Sequence, residues 1–264
     1  MTLSLYGASA QRGIRGLINA EKQFAWFTSE HTIKEGFLAY MDSSGVVFKN
    51  GAEMKALELY RKQNASPGIL SWEPAFAVIS ASGDMGATTG PYEFRAKSRQ
   101  DTVSGRGGFF SIWRINKQGE WKNIADLGSA YKTAAPVVRG VKEITLAKQK
   151  TNELSQAQLL ELDKKFNQAL QEKNIGAWMH YISTDSWLNL DGQLPASGML
   201  QIADAFQKLP ADIQFNTKTG EISAAGDFAY TYGSVIIGGK TNNYLRAWIY
   251  RSRQWQAIIQ TIRF

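Results

Sequence analysis

Histidine and cysteine, two residue types that often carry acid–base or nucleophilic chemistry, are scarce or absent in this sequence. The chain has 264 residues, two histidines, His31 and His180, and no cysteine, which excludes thiol nucleophiles, disulfides and cysteine-bound metals. His180 falls on a predicted helix and Asp191 follows the next predicted strand; facing one cavity, they would form a general acid–base pair. The alternative is that His180 is a structural residue on a packed helix. His31 lies in a polar stretch, which favours exposure to solvent.

A second group of candidates lies on predicted strands of the first half. The alternation of side chains along a strand places Ser111 and Trp113 on one face of their strand and Tyr92 on one face of another. These three residues could line a ligand pocket with a few polar tips, or they could fill an ordinary core with single hydrogen bonds. Glu73 would add a carboxylate if its strand faces inward. Otherwise it points to solvent or pairs with an arginine.

Other classes of site find no support in the sequence. Residues 105–108 are glycine-rich but lack the Gly-Lys-Ser/Thr ending of a phosphate-binding loop, and they indicate a hairpin or a bulge. No metal-ligand cluster is evident, so we predict neither a metal nor a cofactor.

The positive charge does not indicate a nucleic-acid partner. The net charge of +7 comes from 30 basic and 23 acidic residues, and the basic residues are scattered, with small clusters at 95–99 and 148–150. A solvated surface explains this better than a nucleic-acid site does, because such sites collect basic and aromatic residues in one stripe. We also expect no membrane span, since no apolar run approaches about 18–20 residues.

The N-terminus has the shape of a truncated export signal. Residues 2–10 are small and apolar, end in Ala8-Ser9-Ala10 and precede Gln11-Arg12, as at a small-x-small cleavage site, but a basic start and most of an apolar core are missing. We therefore expect a periplasmic or secreted protein, with a cytoplasmic location as the alternative.

An internal repeat determines which elements position the candidate residues. Blocks of similar sequence recur in the same order at a spacing of 141–143 residues, which indicates two copies of one domain. The matching blocks are 21–24 with 163–166, 37–41 with 178–182, and 82–90 with 225–233. The predicted boundaries are 12–132 for the first copy, 133–152 for a linker and 153–264 for the second copy.

Both copies show the same order of elements. Helical periodicity and turn signals predict helices at about 14–29, 32–41 and 52–63 in the first copy and at 154–172, 174–182 and 198–208 in the second. Long strands follow in each copy, in the first at about 70–81, 84–96, 107–115 and 121–130. The predicted fold class is α+β, with three helices packed on a bent antiparallel sheet in each copy.

The order of elements and the Gly-Asp turns at 83–84 and 226–227 resemble the nuclear transport factor two-like superfamily. Residues 66–74 and 82–91 resemble in particular uncharacterised bacterial domains of this type. The resemblance implies two tandem cone-shaped domains of cystatin-like fold and points to the relatives known as ketosteroid isomerases and SnoaL-like cyclases. It specifies the fold better than the activity, since one fold hosts many functions.

The catalytic positions that the resemblance implies are not retained in either copy. The isomerase tyrosine on the first helix becomes Phe24 and Phe166, and phenylalanine cannot donate a hydrogen bond to an oxyanion. The fourth-strand acid becomes Ser111 and Arg246. The base position falls near Lys49 in the first copy and at Asp191 in the second.

Three hypotheses for function remain open. One or both cones bind a small apolar or aromatic molecule without chemistry, or they carry out isomerase, cyclase or hydrolase chemistry with an unrecognised acid–base set, or both cones are filled and structural. Because members of the superfamily often dimerise through the outer sheet face, we also expect the two copies to form an intramolecular pseudo-dimer within a monomeric chain.

Overall fold

The computed structural model of the chain describes residues 12–148, called here the first half, and residues 154–264, called the second half. The signal-like segment 2–10 and part of the predicted linker lie outside the described residues. The first half comprises α1 (Ile14–Glu30), α2 (Ile33–Tyr40), β1 (Met41–Lys49), β2 (Ala52–Lys55), α3 (Ala56–Lys62), β3 (Ile69–Trp72), β4 (Phe76–Ile79), β5 (Met85–Arg95), β6 (Gly105–Ile115), β7 (Trp121–Asp126), β8 (Ser129–Ala130) and β9 (Lys142–Thr145). The second half comprises α4 (Gln156–Gln171), α5 (Ile175–Met179), β10 (Trp187–Leu190), β11 (Ala196–Ser197), α6 (Gly198–Gln207), β12 (Gln214–Ile222), β13 (Phe228–Ile237), β14 (Lys240–Arg251) and β15 (Gln254–Ile262).

Side chains cap the N-termini of three helices, α2, α4 and α5. Thr32 caps α2 by accepting a hydrogen bond from the backbone N–H of Glu35 at 3.1 Å, and Ser155 and Gln158 form a capping box at the start of α4.

The described part of the chain contains no helix with both the length and the apolar character required to cross a membrane.

The first sheet is mixed, which differs from the antiparallel sheet expected from the sequence. Its strands run in the order β2-β1-β7-β6-β5-β4-β9, with β3 also paired to β5 and β8 to β6. The β1–β7 and β4–β9 pairs are parallel. Strand β9 falls inside the predicted linker and extends the edge of the sheet, so the linker is partly structural.

Two predicted elements of the first half are each divided in the structure. The strand expected at 70–81 is broken at Glu73-Pro74-Ala75 into β3 and β4, because proline has no N–H to donate within a sheet. The helix expected at 52–63 begins as β2, which pairs with β1 across the Asn50-Gly51 turn, and becomes helical only at Ala56.

The second sheet has six strands in the order β11-β10-β15-β14-β13-β12. It is also mixed, since β10 runs parallel to β15. In both sheets an early strand runs parallel to a late one, β1 to β7 and β10 to β15, and antiparallel strands continue from there, β6-β5-β4 in the first sheet and β14-β13-β12 in the second.

The elements form four layers, with helices outside and the two sheets inside. Alternation along the strands produces this arrangement: in β6, Trp113 packs against α1–α3, whereas Ile112 packs into an apolar layer between the sheets. In β14, Trp248 packs against α4–α6 and Ala247 enters the same layer between the sheets. Each sheet thus has two apolar faces, one against its own helices and one against the other half.

Reciprocal hydrogen bonds join the halves at their Gly-Asp turns. The Asp84 carboxylate accepts a hydrogen bond from the backbone N–H of Ala224 at 3.0 Å. The Asp227 carboxylate accepts one from the backbone N–H of Ala81, also at 3.0 Å. The same two turns therefore contact each other in both directions.

Candidate functional site

A cavity of about 450 Å³ lies between α1, α2 and the sheet of the first half, and Arg263 of the second half contributes to its wall. Its walls are mainly apolar and aromatic, and its polar groups come from Tyr92, Asp126, Ser129 and Arg263. The apolar wall includes Phe24, Phe37, Leu70, Trp72, Phe94 and Phe109. This size and lining are typical of sites that hold a small molecule.

Asp126, at the end of β7, places a carboxyl group in this cavity. Its Oδ2 atom accepts hydrogen bonds from Ser111 Oγ at 2.7 Å and from Asn123 Nδ2 at 3.2 Å. Its Oδ1 atom accepts none from the described residues. Burial raises the pKa of this carboxyl to about 6, and the two hydrogen bonds oppose that rise. The group can therefore exchange a proton near neutral pH.

Glu21 lies on the buried face of α1 and is fully inaccessible to solvent. The indoles of Trp72 and Trp113 and the hydroxyl of Thr88 donate to its carboxylate at 2.5, 2.8 and 2.5 Å. Burial raises the pKa of Glu21 to about 7 despite these donors, and the charge of Asp126 raises it further. Within residues 12–148 and 154–264, no lysine, arginine or histidine forms an ion pair with Glu21.

The corresponding place in the second half holds a buried ion pair. Asp163 on α4 is bonded to Arg246 on β14, and both side chains are fully buried. Asp163 also accepts hydrogen bonds from the hydroxyls of Tyr244 and Thr231, each at 2.6 Å. The Arg246 guanidinium lies over the Phe166 ring, 4.4 Å from its centroid. The arginine thus occupies the interior of the second half and neutralises its carboxylate.

Both halves contribute to a polar corner of the cavity wall, which is made by Tyr92, Ser129 and Arg263. Ser129 Oγ and Arg263 Nε are buried and have no hydrogen-bond partner in the described part of the chain. Gly107 makes room for this corner, since a Cβ there would lie 1.8 Å from the Ser129 carbonyl oxygen and 2.3 Å from the Tyr92 ring.

Asp191 organises this corner and does not act with His180. Its carboxylate accepts hydrogen bonds from the backbone N–H groups of Ala130 at 2.8 Å and Phe264 at 3.0 Å, and Arg263 Nε lies 3.6 Å away. His180 is exposed at the end of α5, with its ring edge-on to Tyr181. The expected His180–Asp191 pair is not formed, because Asp191 faces the first half while His180 faces solvent.

The other sequence candidates separate into residues at the cavity and residues outside it. Tyr92 is part of the cavity wall, whereas Ser111 and Trp113 are not among its lining residues. Ser111 donates a hydrogen bond to Asp126, and Trp113 donates one to Glu21. Glu73 is exposed outside this cavity, because its neighbour Pro74 is buried in the break between β3 and β4.

Sequence reasoning missed Glu21 and Asp126 as functional candidates. The signal for Glu21 was a carboxylate on the apolar face of α1, between Leu17 and Phe24. No sequence signal marked Asp126, because only the pairing of β6 with β7 in the structure brings it opposite Ser111 on the same face. That register depends on a bulge between Ile112 and Trp113, which the sequence does not reveal.

The described residues contain no group of three or more histidine, aspartate or glutamate side chains arranged to hold a metal ion.

Comparisons with known proteins yield likenesses of fold for part of the chain. No protein-family model matches the sequence, and no curated protein matches it. Among solved structures, a protein of unknown function with a cystatin-like fold from Nostoc punctiforme is 16% identical and covers 42% of this chain and 94% of its own, with a TM-score of 0.35. An NTF2-like protein of unknown function from Pseudomonas putida is 15% identical and covers 40% of this chain and 83% of its own, with a TM-score of 0.35. A ketosteroid isomerase-like protein from Erwinia carotovora atroseptica is 16% identical and covers 43% of this chain and 97% of its own, with a TM-score of 0.34.

Proposed function

We propose that the first half binds a small molecule with an apolar or aromatic body in the cavity beside Asp126. The observation that carries this proposal is the pairing of an aromatic-lined space of about 450 Å³ with a carboxyl group whose Oδ1 atom has no donor among the described residues. Buried polar atoms are normally hydrogen-bonded. A ligand that donates a hydrogen bond would complete the coordination of Asp126.

The second half, in this proposal, is a structural partner. Residues 12–132 and 153–264 are taken as two copies of one domain joined by 133–152, and together they form an intramolecular pseudo-dimer. The reciprocal bonds of Asp84 and Asp227 support this pairing, as does the apolar layer between the sheets. The buried Arg246–Asp163 pair favours a filled interior in the second copy.

Calorimetric titration with neutral 2-naphthol tests the binding proposal. The native chain is expected to bind at one site, and Leu70→Trp is expected to abolish binding because a larger ring from β3 would fill the cavity. The matched control is Leu200→Trp, since Leu200 is 83% exposed on α6. Unchanged binding in Leu70→Trp would reject this cavity as the site.

A second candidate function is general acid–base chemistry at Asp126, of the isomerase, cyclase or hydrolase type. The observation that favours it is the pKa of about 6 at a carboxyl in an aromatic cavity, since a base is most effective when its pKa lies near the working pH. This chemistry would use Asp126 and not the carboxylates and histidine expected from the sequence.

Proton abstraction from nitrobenzisoxazole provides a probe of such a base. The Asp126 carboxylate would take the ring C–H proton, the electron pair would form a nitrile, and the N–O bond would break to release a phenolate. The rate is expected to rise with pH through about 6 and to fall at least about tenfold in Asp126→Asn. Glu73→Gln is the matched control, because Glu73 is exposed outside the cavity. Equal rates in Asp126→Asn and the native chain would exclude this role.

A further inference from the structure

We propose that the polar corner of Tyr92, Ser129 and Arg263 binds a carboxylate, so that the cavity selects aromatic monocarboxylic acids over their uncharged analogues. This inference rests on the proposed binding function and specifies its ligand class. It also makes the second half part of the site, since Arg263 follows β15.

Arg263 supplies the positive charge of the polar corner. It lines the cavity, and its side chain is 35% exposed, so the guanidinium lies where a ligand can reach it. Its only ion-pair partner in the described residues is Asp191, with 3.6 Å between Nε and Oδ2, which is beyond a good hydrogen bond. An arginine fork in this state can bind a carboxylate with two N–H groups.

Both carboxylate oxygens of Asp191 already accept hydrogen bonds. Two backbone N–H groups donate to its two carboxylate oxygens, and these bonds fix Asp191 between the end of β15 and β8. Asp191 therefore positions Arg263 at the cavity without saturating its donors.

Two hydroxyl groups beside Arg263 supply further donors. Ser129 Oγ is buried in the cavity wall without a partner, and the Tyr92 hydroxyl makes no hydrogen bond with a described residue. Burial raises the pKa of Tyr92, which keeps its hydroxyl protonated and able to donate. Two hydroxyls and a guanidinium around one space match the acceptor oxygens of a carboxylate.

The wall of the cavity determines the rest of the ligand. Phe94, Phe109 and Trp72 offer flat apolar surfaces, on which an aromatic ring packs favourably. Asp126 would repel a second anionic group, so the structure favours one carboxylate at the corner and a neutral or donating group at Asp126.

The test compares 2-naphthoate with 2-naphthamide at neutral pH, because the two molecules share a shape and differ in charge. The native chain is expected to bind naphthoate at least about tenfold more tightly. Arg263→Gln is expected to remove this preference and leave naphthamide affinity within about twofold, whereas Arg263→Lys keeps part of the preference. Arg251→Gln is the matched control, since Arg251 is also 35% exposed and pairs with Asp185 away from the cavity.

A second pair of variants tests the same site if Arg263→Gln does not fold. Tyr92→Phe and Ser129→Ala each remove one hydroxyl and are expected to weaken naphthoate several-fold while leaving naphthamide unchanged. Equal affinity of the native chain for the two probes would overturn the carboxylate site and leave the binding cavity intact. Binding of neither probe would overturn the proposed binding function as well.

Discussion

Glu21 and Asp163 occupy matching places on the first helix of their halves, but only Asp163 has a cation beside it. Asp163 is bonded to Arg246, whereas Glu21 is bonded to two indoles and a hydroxyl. The threonines that donate to these carboxylates, Thr88 and Thr231, fall at the same position of the similar sequence blocks 82–90 and 225–233. The two halves therefore share a buried polar frame, and the difference in charge accompanies an open cavity in the first half.

The raised pKa of Glu21 predicts that replacing it changes stability in a pH-dependent way. The folded state retains the proton up to about pH 7, and the unfolded chain loses it near 4.5. The tighter binding of this proton in the folded state therefore stabilises the fold fully below about pH 4.5. As the pH rises to about 7, the free energy of unfolding falls by about 3 kcal/mol. Glu21→Gln should remove this part of the slope when the free energy of urea unfolding is measured at several pH values. An identical slope in the variant would contradict the assignment.

In the second half, Asp163→Asn tests a buried carboxylate that does have a cationic partner. Removing this carboxylate leaves the buried Arg246 without its counter-ion, which costs about 3–5 kcal/mol. We expect a lower free energy of unfolding at every pH at which the chain folds. A variant as stable as the native chain would show that Arg246 is not held by this pair.

Ionisation of Asp126 should affect which ligands bind. An ionised carboxylate accepts a stronger hydrogen bond, so the preference for 2-naphthol over 2-methoxynaphthalene should increase as the pH rises through about 6. Titrations in the Glu21→Gln background separate this effect from the ionisation of Glu21. The preference should lose its pH dependence in Asp126→Asn, and persistence of that dependence would assign it to another group.

The reciprocal turn contacts predict coupled effects on stability. Asp84→Ala and Asp227→Ala each leave a backbone N–H of the other half without its acceptor, which costs about 1–3 kcal/mol. Chemical unfolding of both single variants and of the double variant measures the coupling between the turns. Losses near zero in both single variants would mean that the apolar layer alone holds the halves together.

The sequence predicted the long elements well because their patterns are local. Helix α1 and strand β6 lie where helical periodicity and strand signals placed them. The sequence did not predict β9, because four residues pairing in parallel with β4 leave no periodic signal of their own. The broken β3–β4 run depends on Pro74, whose effect on pairing becomes clear only with the neighbouring strand β5 in place.

The candidate site was predicted only in part, for a related reason. Strand alternation placed Tyr92 on the face that lines the cavity, whereas Ser111 and Trp113 lie outside its lining and donate to Asp126 and Glu21. Asp126 and Arg263 were missed because their positions depend on a bulge in one case and on the contact between halves in the other. Asp191 was singled out as a base, but its two backbone donors come from residues distant in sequence.

The most direct test of a ligand site in the first half is to identify which tryptophan side chains change their NMR signal when a probe binds. Two-dimensional NMR of the indole N–H groups, with 2-naphthol added, reports each tryptophan separately. The expected result is a shift of the Trp72 signal, whose N–H donates to Glu21 at the cavity wall, with no shift of the Trp248 signal, whose N–H donates to Thr231 in the second half. A shift of Trp248 without Trp72, or no shift of either, would contradict the account.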